Sequence, residues 1–230
     1  MREQQIRAWA VHLYTMSGGI VGMFGLFAAA QGETRLAFGL LFLAMLIDAT
    51  DGILARRADV RGVLPGFDGA MVDNVIDFLT YIWIPVFIMW REQLLPHPAW
   101  IIIPIVAGLY AYGQVNMKSD DAFFIGFPSY WNGIALYLFW LRPEPFGALL
   151  LIGIPAVLTF IPTRYLYPSK NPILGKINWL LGAAWGLLVF YLLAQERPDQ
   201  SLVLLSLSYP VFYMLSSFYV DWRIRQGNFA

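Results

Sequence analysis

The chain has 230 residues, 59% of them hydrophobic and only 13% charged, with a mean hydropathy of +0.60; this excludes an ordinary soluble domain and indicates an integral membrane protein. Fifteen Lys and Arg balance fifteen Asp and Glu, and the basic residues are scattered among segment ends, so no nucleic-acid partner is expected. Cysteine is absent, which excludes disulfides, thiolate metal sites and cysteine nucleophiles. Any metal must then be held by oxygen or by the two histidines, and an oxygen-rich site favours magnesium, calcium or manganese.

In chain order, apolar windows near the bilayer-crossing length of about 20 residues fall at 10–30, 35–55, 70–90, 98–117, 128–142, 146–162, 174–195 and 200–221. They predict an all-α, polytopic bundle of about eight transmembrane helices, within a range of six to eight. The fifth and sixth are the weakest, because Pro143, Pro145, Pro155 and Pro162 punctuate or interrupt them. No hydrophilic linker is long enough to divide the chain, so residues 1–230 are expected to form a single domain. Arg2, Arg7 and the run from Ala8 to Ala30 imitate a secretory signal. That run is too long for a signal core and is followed by more spans, so it is expected to remain as the first helix.

With eight crossings, Arg2, Arg7, Arg56, Arg57, Arg61, Lys118, Arg164, Lys170, Lys176, Arg223 and Arg225 share the side of the N-terminus. Arg35, Arg91, Arg142 and Arg197 take the other. This bias predicts that both termini face the cytoplasm from an inner or plasma membrane.

The second and third windows carry the chemistry. Asp48 and Asp51 are three residues apart, and Asp73 and Asp77 four, so each pair shares a helical face and the two faces can meet. Carboxylates at a bilayer edge are costly unless paired or bound to cations, and Arg56 is the one nearby positive charge in the pattern. A divalent ion held by Asp48, Asp51, Asp73 and Asp77 is therefore expected. Such a site suits phosphate chemistry, with Gly52 and Gly69 allowing a ligand close to the backbone. Intramembrane acids would also suit a cation transporter, but that reading needs acids near the midplane and paired interrupted helices. Here they cluster at one end of two segments. His12 is open to two readings, a contact with substrate or a buried histidine satisfied by the protein, while His97, between Pro96 and Pro98, is expected in a loop. Asp59 and Asp68 have no helical register to the acids and are expected in the connection between them.

The run Asp48, Asp51, Gly52, Ala55, Arg56, Gly69, Asp73, Asp77 matches every position of D-x2-D-G-x2-A-R…G-x3-D-x3-D. It resembles the CDP-alcohol phosphotransferase family. The spacer 57–68 is twelve residues against the family's usual eight or nine, and in this respect resembles the bacterial phosphatidylcholine synthase branch. Two further stretches, 8–15 and 120–132, look like that branch as well.

The resemblance implies transfer of the phosphatidyl group of CDP-diacylglycerol to choline with release of CMP, a manganese or magnesium requirement, and a homodimer. By the same resemblance Asp48, Asp51 and Asp73 are metal ligands and Asp77 is a ligand or the base for the alcohol proton. Gly52, Ala55, Arg56 and Gly69 then line the CDP moiety. Serine, inositol or glycerol phosphate are the alternative acceptors within the family, and would call for hydrogen-bonding or basic residues.

Choline's quaternary ammonium favours aromatic faces. Tyr81, Tyr130, Trp131, Tyr165 and Tyr167 are the candidates, with Asp120 and Asp121 as possible sources of negative charge.

Overall fold

The computed structural model describes residues 2–117, 119, 123–167 and 174–227; Lys118, Asp120, Asp121 and Lys170 lie outside them. Eight apolar helical segments follow one another among these residues: α1 (Arg2–Gln31), α2 (Thr34–Arg57), α3 (Gly69–Arg91), α4 (Pro98–Gly113), α5 (Trp131–Leu141), α6 (Pro145–Phe160), α7 (Gly175–Leu193) and α8 (Gln200–Arg225). Five are long and apolar enough to cross a membrane, and α4, α5 and α6 are shorter. The eight expected windows are thus all helical, and two of the three short helices are those that the prolines had marked as weak. The chain is an all-α integral membrane protein.

One small departure is an antiparallel ribbon, β1 (Phe123–Ile125) against β2 (Arg164–Leu166), with Phe124 opposite Tyr165. It joins the approach to α5 with the exit from α6. Gly126 makes it fit: its φ is +79°, and a Cβ there would lie 2.5 Å from the carbonyl oxygen of Thr159.

The packing of α1 explains why three helices converge on the acids. Its enclosed face reads Ala8, His12, Thr15, Gly18, Gly22, Gly25, Ala28, Ala29, a run of small residues at helical period broken by one imidazole. Helices in lipid gain little from burying apolar surface against each other and rely on close packing, which small residues permit. A Cβ on Gly18 would meet Ile47 at 3.5 Å and Ile76 at 3.6 Å, and one on Gly22 would stand 2.8 Å from Cγ2 of Thr80. At its other end α1 lies on Ala37 and Leu41 through Gly25. The seam therefore binds α1 to α2 and α3 within one chain, with α2 antiparallel to α1.

Inside α3 the helix widens into a π turn over Leu79–Trp83, where Ile84 N–H donates to the Leu79 carbonyl. Pro85 supplies the reason, since it has no N–H for the carbonyl four residues back, that of Tyr81, and its ring crowds that carbonyl. An extra residue in one turn rotates the side chains that follow. Asp73, Asp77 and Tyr81 follow at intervals of four and share one side of α3, with the bulge beginning after the acids.

The end of the bundle away from the acids is fastened by Glu92. Its carboxylate accepts from Thr34 Oγ1 at 2.6 Å, Arg91 Nη1 at 2.9 Å and Arg142 Nη2 at 3.2 Å, joining the start of α2, the end of α3 and the end of α5. Glu92→Gln keeps the shape and removes the charge. Because Arg91 and Arg142 are partly solvated, the expected loss is about 1–2 kcal/mol of stability, read as a lower thermal midpoint in detergent with the KM for substrates unchanged.

Candidate active site

Asp48 lies in the second half of α2, and Asp73 and Asp77 in the first half of α3, which is capped by Asp68 accepting from the Met71 N–H at 3.0 Å. One carboxylate oxygen from each of Asp48, Asp73 and Asp77 lies within 4.8 Å of the others. Asp77 is buried and the other two are half-buried. Three acids this close repel one another in a poorly hydrated site, and oxygen donors at this spacing suit a hard divalent cation. The residues fit the expected metal.

Asp51 is also buried, but it falls outside this group of three. Its Oδ2 accepts from Thr15 Oγ1 at 2.7 Å, while the neighbouring pair Tyr14 and Thr50 hydrogen-bond at 2.8 Å. Successive residues of α1 thus hold successive residues of α2, and Thr15 fixes the orientation of Asp51.

The four residues expected around the nucleotide divide in two. Gly52, Ala55 and Arg56 follow the acids on α2, and Arg56 bends back so that a Cβ on Gly52 would stand 3.3 Å from its Nη1. Gly69 opens α3 beside α1, where a Cβ would meet His12 Cε1 at 2.5 Å and Nδ1 at 2.9 Å. The space that glycine leaves is filled by the imidazole.

The aromatic candidates also separate. Tyr81 donates its hydroxyl to Asp48 Oδ2 at 2.7 Å, and its ring lies 6.2 Å from that of Tyr130. Trp131 and Tyr165, expected at the acceptor, have no exposed surface and pack around Phe127. As enclosed rings they present no face to a ligand; they form the wall behind Tyr130. Burial, with the charge of Asp221 adding to it, pushes the Tyr165 phenol above its ordinary range. Tyr167 stacks on Phe124 at 4.7 Å, on the outer part of the ribbon.

Two residues of this region escape sequence reasoning. Tyr112 of α4 lies within electrostatic range of Asp77, Asp48 and Asp73. Tyr213 of α8 meets Tyr130 edge to face at 5.8 Å and donates to the Leu166 carbonyl at 2.9 Å, so it ties the ribbon to α8 behind the site. Both lie in apolar runs where an aromatic is unremarked, and only the fold brings them to the acids.

The three acids meet where α2 and α3 pack together, with Tyr81 hydrogen-bonded to Asp48 and Tyr130 beside it. A family model described as CDP-alcohol phosphatidyltransferase matches residues 10–212. The chain belongs to this family. A phosphatidylcholine synthase of Legionella pneumophila is 35% identical over 229 residues, covering 94% of this chain and 89% of the relative. Another from Pseudomonas aeruginosa is 34% identical over 223 residues, covering 94% and 92%, and one from Rhizobium meliloti is 34% identical over 193 residues, covering 82% and 80%. Membership makes the chain a transferase. Cation transport draws no support from these comparisons.

Proposed function

We propose that this chain transfers the phosphatidyl group of CDP-diacylglycerol to choline, forming phosphatidylcholine and CMP. The reading is carried by the meeting of the Asp48, Asp73 and Asp77 carboxylates within 4.8 Å, with Tyr81 hydrogen-bonded to Asp48 and the Tyr130 ring 6.2 Å from that of Tyr81. Asp48, Asp51, Asp73 and Asp77 would hold manganese or magnesium, with Asp51 set by Thr15. Bound there, the cation supplies charge neutralisation for the pyrophosphate and for the departing phosphate of CMP.

Asp77 takes the choline hydroxyl proton as that oxygen bonds to the phosphorus carrying diacylglycerol. The bond from this phosphorus to the bridging oxygen breaks, and its electron pair leaves with CMP. Buried within the bundle, Asp77 is shielded from bulk water that would otherwise compete as the nucleophile. Arg56 offers a planar fork to phosphate oxygens, and Gly52 and Ala55 keep side-chain bulk away from the nucleotide. Tyr81 and Tyr130 offer ring faces to the trimethylammonium group, with the carboxylates supplying negative charge nearby. Trp131 and Tyr165 act behind them as the wall of this subsite.

In the same reading the enzyme is a homodimer of an inner or plasma membrane. Its acids and termini face the cytoplasm, where CMP is released, and the acyl chains enter from the bilayer.

The test offers choline, serine, inositol or glycerol phosphate separately to purified protein with CDP-diacylglycerol and manganese, and measures CMP. Choline is expected to support release at least ~10-fold faster than the others, the scale of one desolvated cation–aromatic contact. A chelator should abolish it and manganese restore it. Release with another acceptor alone would retain the metal site and sink the choline reading.

A further inference from the structure

His12 has a place that the motif does not explain. It lies on the enclosed face of α1, one turn before the Thr15 that holds Asp51, and is 5% exposed. Phe67 stands 4.4 Å from its ring and Trp9 5.7 Å. Phe67 comes from the long spacer between the two halves of the motif. After α2 that spacer makes one helical turn, Val60–Val63, and then a tight turn closed by Phe67 N–H on the Leu64 carbonyl, which returns the chain to α1. The extra residues of the spacer therefore build one wall of a seat for the imidazole. Gly69 is the other wall, since no Cβ fits between it and the ring.

Despite this enclosure, His12 Nε2 has no hydrogen-bond partner among the described residues. A buried polar atom left without one costs free energy, and native structures seldom keep such an atom unless it serves a ligand, a water or an ion. The imidazole is thus held by ring packing alone, with its polar edge unspent, at the point where α1 meets the start of α3.

We infer that His12 is a nucleotide-contacting residue, binding the CMP portion of the substrate through Nε2, and that Gly69 serves the nucleotide by seating this ring. The inference rests on the CDP-linked substrate proposed above and deepens it. It reassigns Gly69: the glycine that would let a nucleotide approach the backbone instead lets a side chain approach, and that side chain carries the contact. It also gives the twelve-residue spacer a purpose, because a shorter connection lacks the residues to turn Phe67 back against the imidazole.

The experiment is CMP binding by calorimetry to the purified chain in manganese, for His12→Leu, His12→Gln, Gly69→Ala and the His12→Leu/Gly69→Ala pair. Leu fills the seat without a polar atom, whereas the Gln amide nitrogen reaches near the position of Nε2. His12→Leu should weaken CMP about tenfold and His12→Gln by about threefold or less, the range for one hydrogen bond. Thermal midpoints should stay close to the parent's, and the KM for choline should stay within about twofold. Gly69→Ala should weaken CMP alone but add nothing to His12→Leu, because both act through one ring.

The inference is overturned if His12→Leu binds CMP as tightly as the parent, or if Leu and Gln weaken it equally in step with lost stability. An additive pair would return Gly69 to direct contact with the nucleotide and overturn its part. A parent chain that binds no CMP would remove the CDP-linked substrate itself, an outcome distinct from a parent that binds CMP with His12 idle.

Discussion

Asp77→Asn is expected to lower choline-dependent CMP release by about 10³-fold or more, the scale of losing a positioned base together with one charge of a metal site. Asn fills the same volume, so the packing around this buried position is kept and the bundle should fold. What is lost is proton affinity, because an amide oxygen cannot take the proton from the choline hydroxyl. Asp77 has two proposed tasks, and they separate in a manganese titration. If the base is the larger task, half-saturation by manganese moves only a few-fold and CMP binding survives while turnover is lost. If ligation is the larger task, half-saturation rises in parallel with the loss. A variant that keeps a tenth of the parent rate would remove Asp77 from the chemistry.

The comparison of Asp77 with Asp51 marks how far the sequence reaches. Helical spacing places Asp48 with Asp51 and Asp73 with Asp77 on shared faces, and the structure brings together Asp48, Asp73 and Asp77 from those two helices. Spacing cannot say which acid of a pair turns towards a third helix. The partner of Asp51 is Thr15, thirty-six positions earlier, in a segment whose composition says only that it is apolar and small.

Hydropathy marked all eight segments because lipid imposes a length and a polarity on every crossing helix. Their packing was less legible. The meaning of the stripe of Gly18, Gly22 and Gly25 depends on Ile47, Ile76 and Thr80 across the seam, which lie far from it in sequence.

The acceptor flank shows the same limit from the other side. Tyr130 and Trp131 are adjacent and equally plausible in sequence, but one begins a helix at the site and the next turns into the core with no exposed surface. Residue type suggested both, and the direction of one helix start divides them. Tyr112 and Tyr213 carried no signal, because a tyrosine within an apolar membrane segment is ordinary unless the fold brings it to a site. The ribbon of β1 and β2 is three residues to a strand, too short for a period-two pattern to be read.

Tyr81→Phe is expected to slow turnover by about 10- to 100-fold, the range for removing a hydrogen bond that orients a metal-ligating side chain. Pro85 leaves the Tyr81 carbonyl without its usual donor where α3 makes the π turn, and from within this turn the Tyr81 hydroxyl reaches across to α2 and donates to Asp48 Oδ2 at 2.7 Å. One oxygen of Asp48 is thereby committed and the carboxylate's rotation fixed. Phe keeps the ring, and with it the face offered to the trimethylammonium group, but gives up the donor.

The two roles proposed for Tyr81 therefore predict opposite kinetic signatures. Loss of the tether should raise the manganese needed for half-maximal rate and lower kcat while the KM for choline holds within about twofold. Tyr81→Leu, which removes ring and donor together, should raise the KM for choline as well, by about a further tenfold. If Phe raises that KM as much as Leu does, the hydroxyl itself meets choline and the tether to Asp48 is incidental. If Phe leaves both kcat and the manganese requirement unchanged, Asp48 is held by α2 alone and the π turn serves packing.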